Sequence, residues 1–212
     1  MQVQCFEVGH LPTNCYLLTD GETNKSAVID PGGNDAALLE AVARCDVAAI
    51  LLTHAHFDHI LGVADVYRLT HAPIFLDADD APMANDPRRN LSAFMHLGQV
   101  KPFTPARLLH DGDTFSIGAL QVRVLHTPGH TPGGCCYLAG DALFSGDTLM
   151  AGSVGRTDFP GGDYRALMRS VQRLKALPGD WHIYPGHGPD TTLERERRAN
   201  PYMEPERYGL IP

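Results

Sequence analysis

The stretch Val47-Ala48-Ala49-Ile50-Leu51-Leu52-Thr53-His54-Ala55-His56-Phe57-Asp58-His59 decides both the fold and the chemistry of this chain. Its first half is a short apolar run typical of a buried strand, and its second half places three histidines and one aspartate within six positions. Apolar side chains at helical spacing follow, at Ile60, Val63, Ala64 and Tyr67. We therefore expect the histidine cluster on a loop between the carboxyl end of a strand and a helix, where open α/β sheets keep their ligands.

Three more candidate metal ligands occur downstream, each after an apolar or strand-like stretch. They are His130 in Thr127-Pro128-Gly129-His130-Thr131, Asp147 in Ser145-Gly146-Asp147-Thr148, and His187 in Tyr184-Pro185-Gly186-His187-Gly188. Imidazole nitrogens and carboxylate oxygens are the ligands that zinc and similar ions prefer. Seven such side chains are too many for one tetrahedral ion and fit two ions that share a carboxylate.

The spacing of these residues assigns them to two groups. His54 and His56 are separated by one residue, so both side chains can point the same way from an extended loop. The expected ligands are His54, His56 and His130 for the first ion, Asp58, His59 and His187 for the second, and Asp147 as the bridge. A pair of divalent ions lowers the pKa of water from 15.7 toward ~7, which supplies hydroxide at neutral pH. Asp58 is expected to orient that hydroxide as well as to bind metal.

The rest of the chain predicts strands and helices in two successive halves. Strands are expected over 3–8, 15–19 and 26–30 in the first half, and as hairpins over 114–125 and 135–145 in the second. A helix should begin after Asp163, and a last strand should cover 181–184. Two such halves predict an α/β fold with two sheets face to face and helices outside, in a single domain over 1–212. Residues 77–107 are less patterned and are interpreted as a surface insertion, with a short helix near 91–97.

Composition narrows the class of protein. The chain has 212 residues with 43% hydrophobic and 20% charged residues, which fits one globular domain. A net charge of -8 argues against nucleic-acid and anionic-membrane partners. The first residues do not follow a secretory-signal pattern, and no apolar run reaches the ~18 residues that span a bilayer. We expect a cytoplasmic protein with no membrane partner, and nothing in the sequence indicates an oligomeric state.

The ordered motifs resemble those of the metallo-β-lactamase superfamily, whose signature matches 53–59 and whose later motifs match His130, Asp147 and His187. Within it the chain resembles the short, single-domain branch of bacterial glyoxalase II-like hydrolases. The segments that carry this likeness are Asn14-Cys15-Tyr16-Leu17, Val28-Ile29-Asp30-Pro31-Gly32-Gly33, Thr127 to Gly133, and Gly155-Arg156-Thr157-Asp158-Phe159. The resemblance implies an αββα sandwich that hydrolyses a small-molecule thioester, S-D-lactoylglutathione or a related compound. It also implies two divalent ions per chain, with zinc as the default and iron or manganese as alternatives, and a substrate contact from Arg156.

Other interpretations stay open. An iron-dependent persulfide dioxygenase has the same fold and holds one iron with two histidines and an aspartate, which His54, His130 and Asp147 match better than His56, His130 and Asp147. A β-lactamase usually lacks a histidine at the position of His59 and often has cysteine where Asp147 stands. A nuclease of this superfamily would need an RNA-gripping arm, and a binding protein without turnover would not need seven ligands. The remaining histidines are expected to be structural, with His10 and His96 as candidates for a pocket wall.

Overall fold

The computed structural model describes residues 1–95 and 97–204, and the first half of the chain forms a six-stranded mixed sheet. Its strands are β1 (Gln2–Val8), β2 (Thr13–Thr19), β3 (Lys25–Ile29), β4 (Asp46–Leu51), β5 (Ile74–Asp77) and β6 (Arg107–Leu109), side by side in that order. Strands β1 to β3 pair antiparallel, and β3 to β6 pair parallel. The parallel strands therefore end at one edge of the sheet, where the loop after β4 carries the histidine cluster.

The second half of the chain forms another six-stranded sheet. Its strands are β7 (Thr114–Ile117), β8 (Leu120–His126), β9 (Cys135–Ala139), β10 (Ala142–Gly146), β11 (His182–Pro185) and β12 (Thr191–Thr192). They lie in the order β12-β11-β10-β9-β8-β7, and only β10 and β11 are parallel. Both predicted hairpins, β7–β8 and β9–β10, are confirmed.

Helices cover the outer faces of both sheets. They are α1 (Ala36–Val42), α2 (Phe57–Ile60), α3 (Val63–Thr70), α4 (Ala81–Ala84), α5 (Ser92–Met95), α6 (Tyr164–Lys175) and α7 (Leu193–Ala199), followed by a 3-10 turn at Pro201–Met203. The Asp163 side chain caps α6 by accepting from the Ala166 amide, as the sequence predicts. Over 1–95 and 97–204, none of these helices has the length and apolar character needed to cross a bilayer.

Three buried clusters define the layers. The central cluster joins side chains of both sheets, among them Ile29 and Leu51 from the first and Tyr137 and Phe144 from the second. One outer cluster packs α1 and α3 on the first sheet, and the other packs α6 and α7 on the second. The predicted αββα sandwich is confirmed.

The helix expected after the histidine cluster is interrupted. α2 and α3 are separated at Leu61–Gly62, where the Gly62 amide donates a hydrogen bond to the Pro31 carbonyl. A side-chain carbon at Gly62 would lie 2.0 Å from the Gly33 carbonyl oxygen, so only glycine allows this close approach of the two loops.

The interpretation of 77–107 as a surface insertion is wrong in part. Asp77 ends β5 and Asp80 follows it, and their exposed fractions are 2% and 0%. The sequence missed β5 and β6 here, because strands of four and three residues give almost no periodic signal. The short predicted helix corresponds to α5, and His96 lies outside the described residues.

Candidate metal centre

All seven predicted ligands meet where the two sheets end. His54, His56, Asp58 and His59 lie on the loop after β4 or on α2, His130 lies between β8 and β9, and Asp147 and His187 follow β10 and β11. Among the described residues, three overlapping groups of donor atoms form there, each with its atoms within 4.8 Å of one another. Two of them are made of predicted ligands, His54, His56 and His130 in the first group and Asp58, His59 and His187 in the second, and the third combines His54 and His59 with Asp30. The first two are the sets that the spacing predicts.

Distances between donor atoms within each group fit a metal ion. His56 Nδ1 lies 2.9 Å from His130 Nε2 in the first group. In the second group, His187 Nε2 lies 3.4 Å from His59 Nε2 and 3.2 Å from Asp58 Oδ2. Donors on a tetrahedral ion with bonds near 2.1 Å would be about 3.4 Å apart. The side chains therefore lie close to ligand geometry.

Asp147 lies between the two groups. Its Oδ2 is 3.4 Å from His130 Nε2 and 3.7 Å from His187 Nε2, and its Oδ1 is 3.5 Å from His59 Nε2. The close packing here requires glycine at position 186, because a side-chain carbon there would lie 2.3 Å from Asp147 Oδ1. One carboxylate thus reaches histidines of both groups, as a bridging ligand must.

Buried polar atoms without a partner show that the site suits a cation. His54 Nε2 and Asp147 Oδ1 are buried, and neither has a hydrogen-bond partner. Leaving such an atom unpaired costs about 1–3 kcal/mol, more for a charged group, so a folded protein satisfies it with a ligand or an ordered water molecule. Imidazole nitrogen and carboxylate oxygen are donors for divalent ions, and the residues present therefore fit the predicted metals.

Four of the five histidines have an acceptor at Nδ1, which leaves Nε2 directed toward the centre. The contacts are His54 with Thr53 Oγ1 at 3.1 Å, His59 with Asp30 Oδ2 at 3.0 Å, His130 with the Arg156 carbonyl at 2.7 Å, and His187 with the Pro12 carbonyl at 3.2 Å. Such outer partners fix the tautomer and the ring orientation of metal-binding histidines. His56 differs, because its Nδ1 faces the group and its buried Nε2 has no partner.

Asp30 supports the site, although sequence reasoning did not single it out. Its carboxylate accepts from the Thr53 amide at 2.7 Å and the Thr53 hydroxyl at 2.6 Å, and it receives His59 Nδ1–H. Asp30 adopts a left-handed backbone with φ of 51°, which aspartate tolerates better than most residues. A carboxylate at the end of an apolar run, just before Pro31-Gly32-Gly33, was the available signal.

Asp80 is a second support that the sequence did not indicate. Its Oδ2 accepts from the Ala55 amide at 2.9 Å and from the Thr131 hydroxyl at 2.8 Å, and its Oδ1 accepts from the Gly133 amide at 2.6 Å. Ala55 lies between His54 and His56, and Thr131 follows His130. One buried carboxylate therefore joins the two loops that carry the first ligand group.

Burial governs the protonation of the first group. It is the main cause that lowers the pKa of the His54 imidazole, and it lowers the pKa of His56 to about 3. Neighbouring imidazoles act in the same direction on these two rings, because a nearby positive charge disfavours another. His54 and His56 are therefore neutral at physiological pH, which is the form that binds a metal ion.

The second group carries a proton in the absence of metal. Burial opposes charge on His59, but the carboxylates of Asp147, Asp58 and Asp30 outweigh it and raise the pKa of His59 to about 10. Burial likewise disfavours charge on Asp58, yet the nearby His59 cation holds the pKa of this carboxyl well below its usual range. In the metal-free protein, the positive charge of protonated His59 therefore occupies the place where a metal ion is expected.

A cavity of about 470 Å³ opens above the centre, within the usual range for ligand pockets. Arg156 lies in its wall and forms two 2.6 Å hydrogen bonds with Asp158, while its guanidinium carbon is 4.0 Å from the centre of the Phe159 ring. The substrate contact of Arg156 therefore stays a prediction. The Arg156 side chain is already paired with Asp158. His10 is exposed, and its neighbour Leu11 lines the cavity in its place.

The family of the chain follows from a comparison with known sequences. The model of the metallo-beta-lactamase superfamily matches residues 8–187. The chain belongs to this superfamily. The matched range includes all seven predicted ligands, and this fold family implies divalent metal ions at the place where those ligands meet.

Several relatives are similar to this superfamily member over most of its length. The hydroxyacylglutathione hydrolase GloC of Haemophilus influenzae is 32% identical, over 96% of this chain and 98% of the relative. The crystal structure of the BLEG-1 B3 metallo-beta-lactamase has a TM-score of 0.89 at 34% identity, covering 95% of this chain and 99% of that one. TTHA1623 in a di-iron-bound form has a TM-score of 0.82 at 40% identity, covering 94% and 99%.

Proposed function

We propose that this protein is a dinuclear metal-dependent hydrolase of the glyoxalase II type, which cleaves S-D-lactoylglutathione or a related small-molecule thioester. The observation that carries the proposal is the presence of two complete histidine and aspartate groups, with Asp147 in reach of both. The similarity to GloC, a hydroxyacylglutathione hydrolase, supports the thioester class.

Zinc is the proposed metal, because five imidazoles and two carboxylates form a donor set that this ion favours. Iron and manganese are the alternatives, and the di-iron-bound form of TTHA1623 makes iron the first one to test. When bound, the two ions would lower the pKa of a water molecule and polarise the carbonyl group of the substrate.

Asp58 is proposed as the catalytic carboxylate. It lies at the cavity wall, and its Oδ2 accepts a hydrogen bond from the Thr13 hydroxyl at 3.4 Å. Because its pKa is held low, Asp58 is ionised at neutral pH and can hold a water molecule through that molecule's proton. Thr13 and His187 fix the direction of the carboxylate.

Arg156 is proposed to contact the thiol carrier. Its Nε and Nη2 atoms donate to Asp158, which leaves the Nη1 protons for a carboxylate or carbonyl oxygen of a substrate. The ion pair with Asp158 and the stacking on Phe159 hold the guanidinium plane in place, so the substrate would meet an ordered donor.

A β-lactam hydrolase is the second candidate, favoured by the similarity to the BLEG-1 B3 metallo-beta-lactamase over nearly the full length of both chains. The iron-dependent persulfide dioxygenase, which uses one iron, is a weaker alternative. A one-iron enzyme would leave the group of Asp58, His59 and His187 without a role, although the donor atoms of this group, like those of the first, lie within 4.8 Å of one another.

One panel on metal-analysed protein separates these candidates. Purified protein loaded with zinc, iron or manganese would be assayed with S-D-lactoylglutathione, other thioesters, lactones and nitrocefin, and for oxygen uptake on glutathione persulfide. We expect thioester hydrolysis to be the fastest reaction, with two ions per chain. Nitrocefin turnover that exceeds it, or oxygen uptake with one iron per chain, would refute the proposal.

A further inference from the structure

The cavity above the ligand groups has an apolar wall that the metal chemistry does not require. Its apolar residues come from four separate segments: Leu11, Phe57, Leu91 with Met95, and Met150 with Val154 and Phe159. Methionine side chains are flexible and polarisable, so two of them in one wall can adapt to apolar groups of different shape. This surface lies within the same cavity as Asp58 and Asp147, close to where a carbonyl carbon would react.

Leu91 is held in this wall against its own backbone preference. Its φ is 72°, in the left-handed region that branched side chains avoid, and only 5% of it is exposed. Asn90 maintains the conformation, because its carbonyl accepts from Phe57, its Oδ1 accepts from the Ser92 amide, and its Nδ2 donates to the Ala84 carbonyl. Strained residues of this kind occur where the position of a side chain matters for function.

The charges of the cavity wall also favour an apolar substrate group. Apart from the candidate ligands, Arg156 is the one charged side chain among the described residues that line the cavity, and Asp158 already pairs with it. The described wall therefore offers an acyl group mainly apolar contact, because its one cation is paired with Asp158 and its remaining Nη1 donor is assigned to the thiol carrier. A hydrophilic or anionic acyl group seated against the apolar residues would lose water without gaining a partner there.

We infer that the acyl side of the substrate is an apolar chain, and that Leu91 is a residue that selects it. This inference rests on the proposed thioesterase function and narrows it to related thioesters with an apolar acyl chain, ahead of S-D-lactoylglutathione, whose acyl group carries a hydroxyl. An acyl chain seated against Leu91, Met95 and Met150 would leave its carbonyl group facing the ligand groups, with the thiol carrier toward Arg156.

The first test varies the acyl chain and keeps the thiol carrier constant and uncharged. Acetyl, butanoyl, hexanoyl and octanoyl thioesters of N-acetylcysteamine would be compared by kcat/KM on the zinc-loaded protein. Burial of each methylene predicts an increase of up to about fourfold until the cavity is filled. Calorimetric titration of the matching non-hydrolysable thioethers should show affinity that grows with chain length and a heat capacity change that becomes more negative.

The second test changes Leu91. In Leu91→Asn, the new side chain has nearly the same shape but is polar, and asparagine tolerates the left-handed backbone, so folding should persist. We expect the ratio of hexanoyl to acetyl kcat/KM to fall by about tenfold, with thioether affinity following the same trend. Leu108→Asn is the matched control, since Leu108 is exposed on β6 outside the cavity, and it should keep the wild-type ratio.

The outcomes separate the two proposals. Zinc-loaded wild-type protein that hydrolyses no thioester would overturn the proposed function and the inference with it. Hydrolysis whose kcat/KM is flat or falls with acyl length, with thioether affinity equally flat, would overturn the inference and leave the function standing. A wild-type ratio in Leu91→Asn would overturn the role of Leu91, whereas loss of the ratio in this variant alone supports it.

Discussion

At the scale of single residues, Asp147 occupies the position between the two ligand groups. Its carboxylate reaches histidines on both sides at 3.4–3.7 Å, so it is the side chain that both ions would share. We expect Asp147→Ala to lower the metal content and to reduce thioester hydrolysis by more than about 100-fold, the upper range for loss of a partner of a ligand. Metal analysis and kcat/KM on the same sample measure both effects.

A matched control is available away from the site. Asp46→Ala removes a carboxylate whose side chain is 65% exposed and should leave metal content and activity at wild-type values. Two ions per chain and full activity in Asp147→Ala would refute the bridging assignment.

His59 gives the metal site a defined pH dependence. Its pKa in the metal-free folded protein is about 10, raised above the ordinary 6.5, so at pH 7 a metal ion must displace its proton. We expect binding to release about one proton from this ring and the apparent affinity to rise roughly tenfold per pH unit between pH 7 and 9. Calorimetry in buffers of different ionisation enthalpy counts the protons. Heats that do not depend on the buffer would contradict this assignment.

Arg156 is expected to act on binding rather than on the chemical step. Its side chain lies in the cavity wall, and its contact with the ligand His130 is made by its main-chain carbonyl, which accepts a hydrogen bond from His130 Nδ1–H. Arg156→Ala should raise KM for S-D-lactoylglutathione by about fivefold to tenfold and change kcat little, because it removes a contact made equally in ground and transition states. Arg123→Ala, on the exposed face of β8, controls for loss of one positive charge. A fall in kcat at constant KM would place Arg156 in the chemistry instead.

At the scale of elements, the ligands lie on loops, and buried carboxylates join those loops to each other. Asp80 connects the loop after β4 to the loop between β8 and β9 through three hydrogen bonds of 2.6–2.9 Å. Asp80→Asn replaces one carboxylate oxygen, a hydrogen-bond acceptor, with an NH₂ group, a donor. That donor would face the amide and hydroxyl groups that donate to Asp80 now. We expect Asp80→Asn to lower the free energy of unfolding by about 2–4 kcal/mol and to weaken metal binding by the first ligand group.

Urea unfolding of the metal-free protein and zinc titration separate the two effects of Asp80→Asn. Asp46→Asn, an exposed aspartate at the start of β4, serves as the control. Unchanged zinc affinity in Asp80→Asn would show that Asp80 stabilises the fold without positioning the ligands.

The sequence predicted the elements that have periodic patterns and the ligands that belong to compact motifs. It missed Asp30 and Asp80, because their partners lie 23 residues away at Thr53 and 53 residues away at Gly133. The one local signal for Asp30 was its place at the end of an apolar run, and no local pattern marks Asp80, whose carboxylate oxygens accept hydrogen bonds from distant loops. The strands β5 and β6 were missed because they are short, and the left-handed Leu91 because leucine rarely adopts that conformation.

At the scale of the whole molecule, the two sheets are joined at the site by more than the candidate metals. The Asn14 side chain on β2 donates to the Pro185 and Gly188 carbonyls, and the Tyr16 hydroxyl donates to Pro185 at 2.6 Å. The first half of the chain thereby holds the loop that carries His187, and the sandwich and the ligand geometry depend on each other.

Metal ions should therefore stabilise the whole fold. Each ligand group takes side chains from both halves, so an ion binds the folded chain and has no comparable site in the unfolded one. At a free zinc concentration of about 100 times Kd, we expect about 2.7 kcal/mol of added stability. Thermal unfolding with and without a chelator measures it, and Asp147→Ala should show a smaller shift. Equal melting temperatures in the presence and absence of zinc would argue against a preformed site.

The division of each ligand group between the two halves has a consequence for biosynthesis. His54 to His59 are synthesised early. The first group is complete only when His130 has been added, and the second only when His187, on the loop after β11, has been added. A nascent chain that stops before β11 can offer only one complete set of donors. We expect full loading with two ions to occur only after translation has passed His187, so that chains truncated before β11 would not take up the second ion.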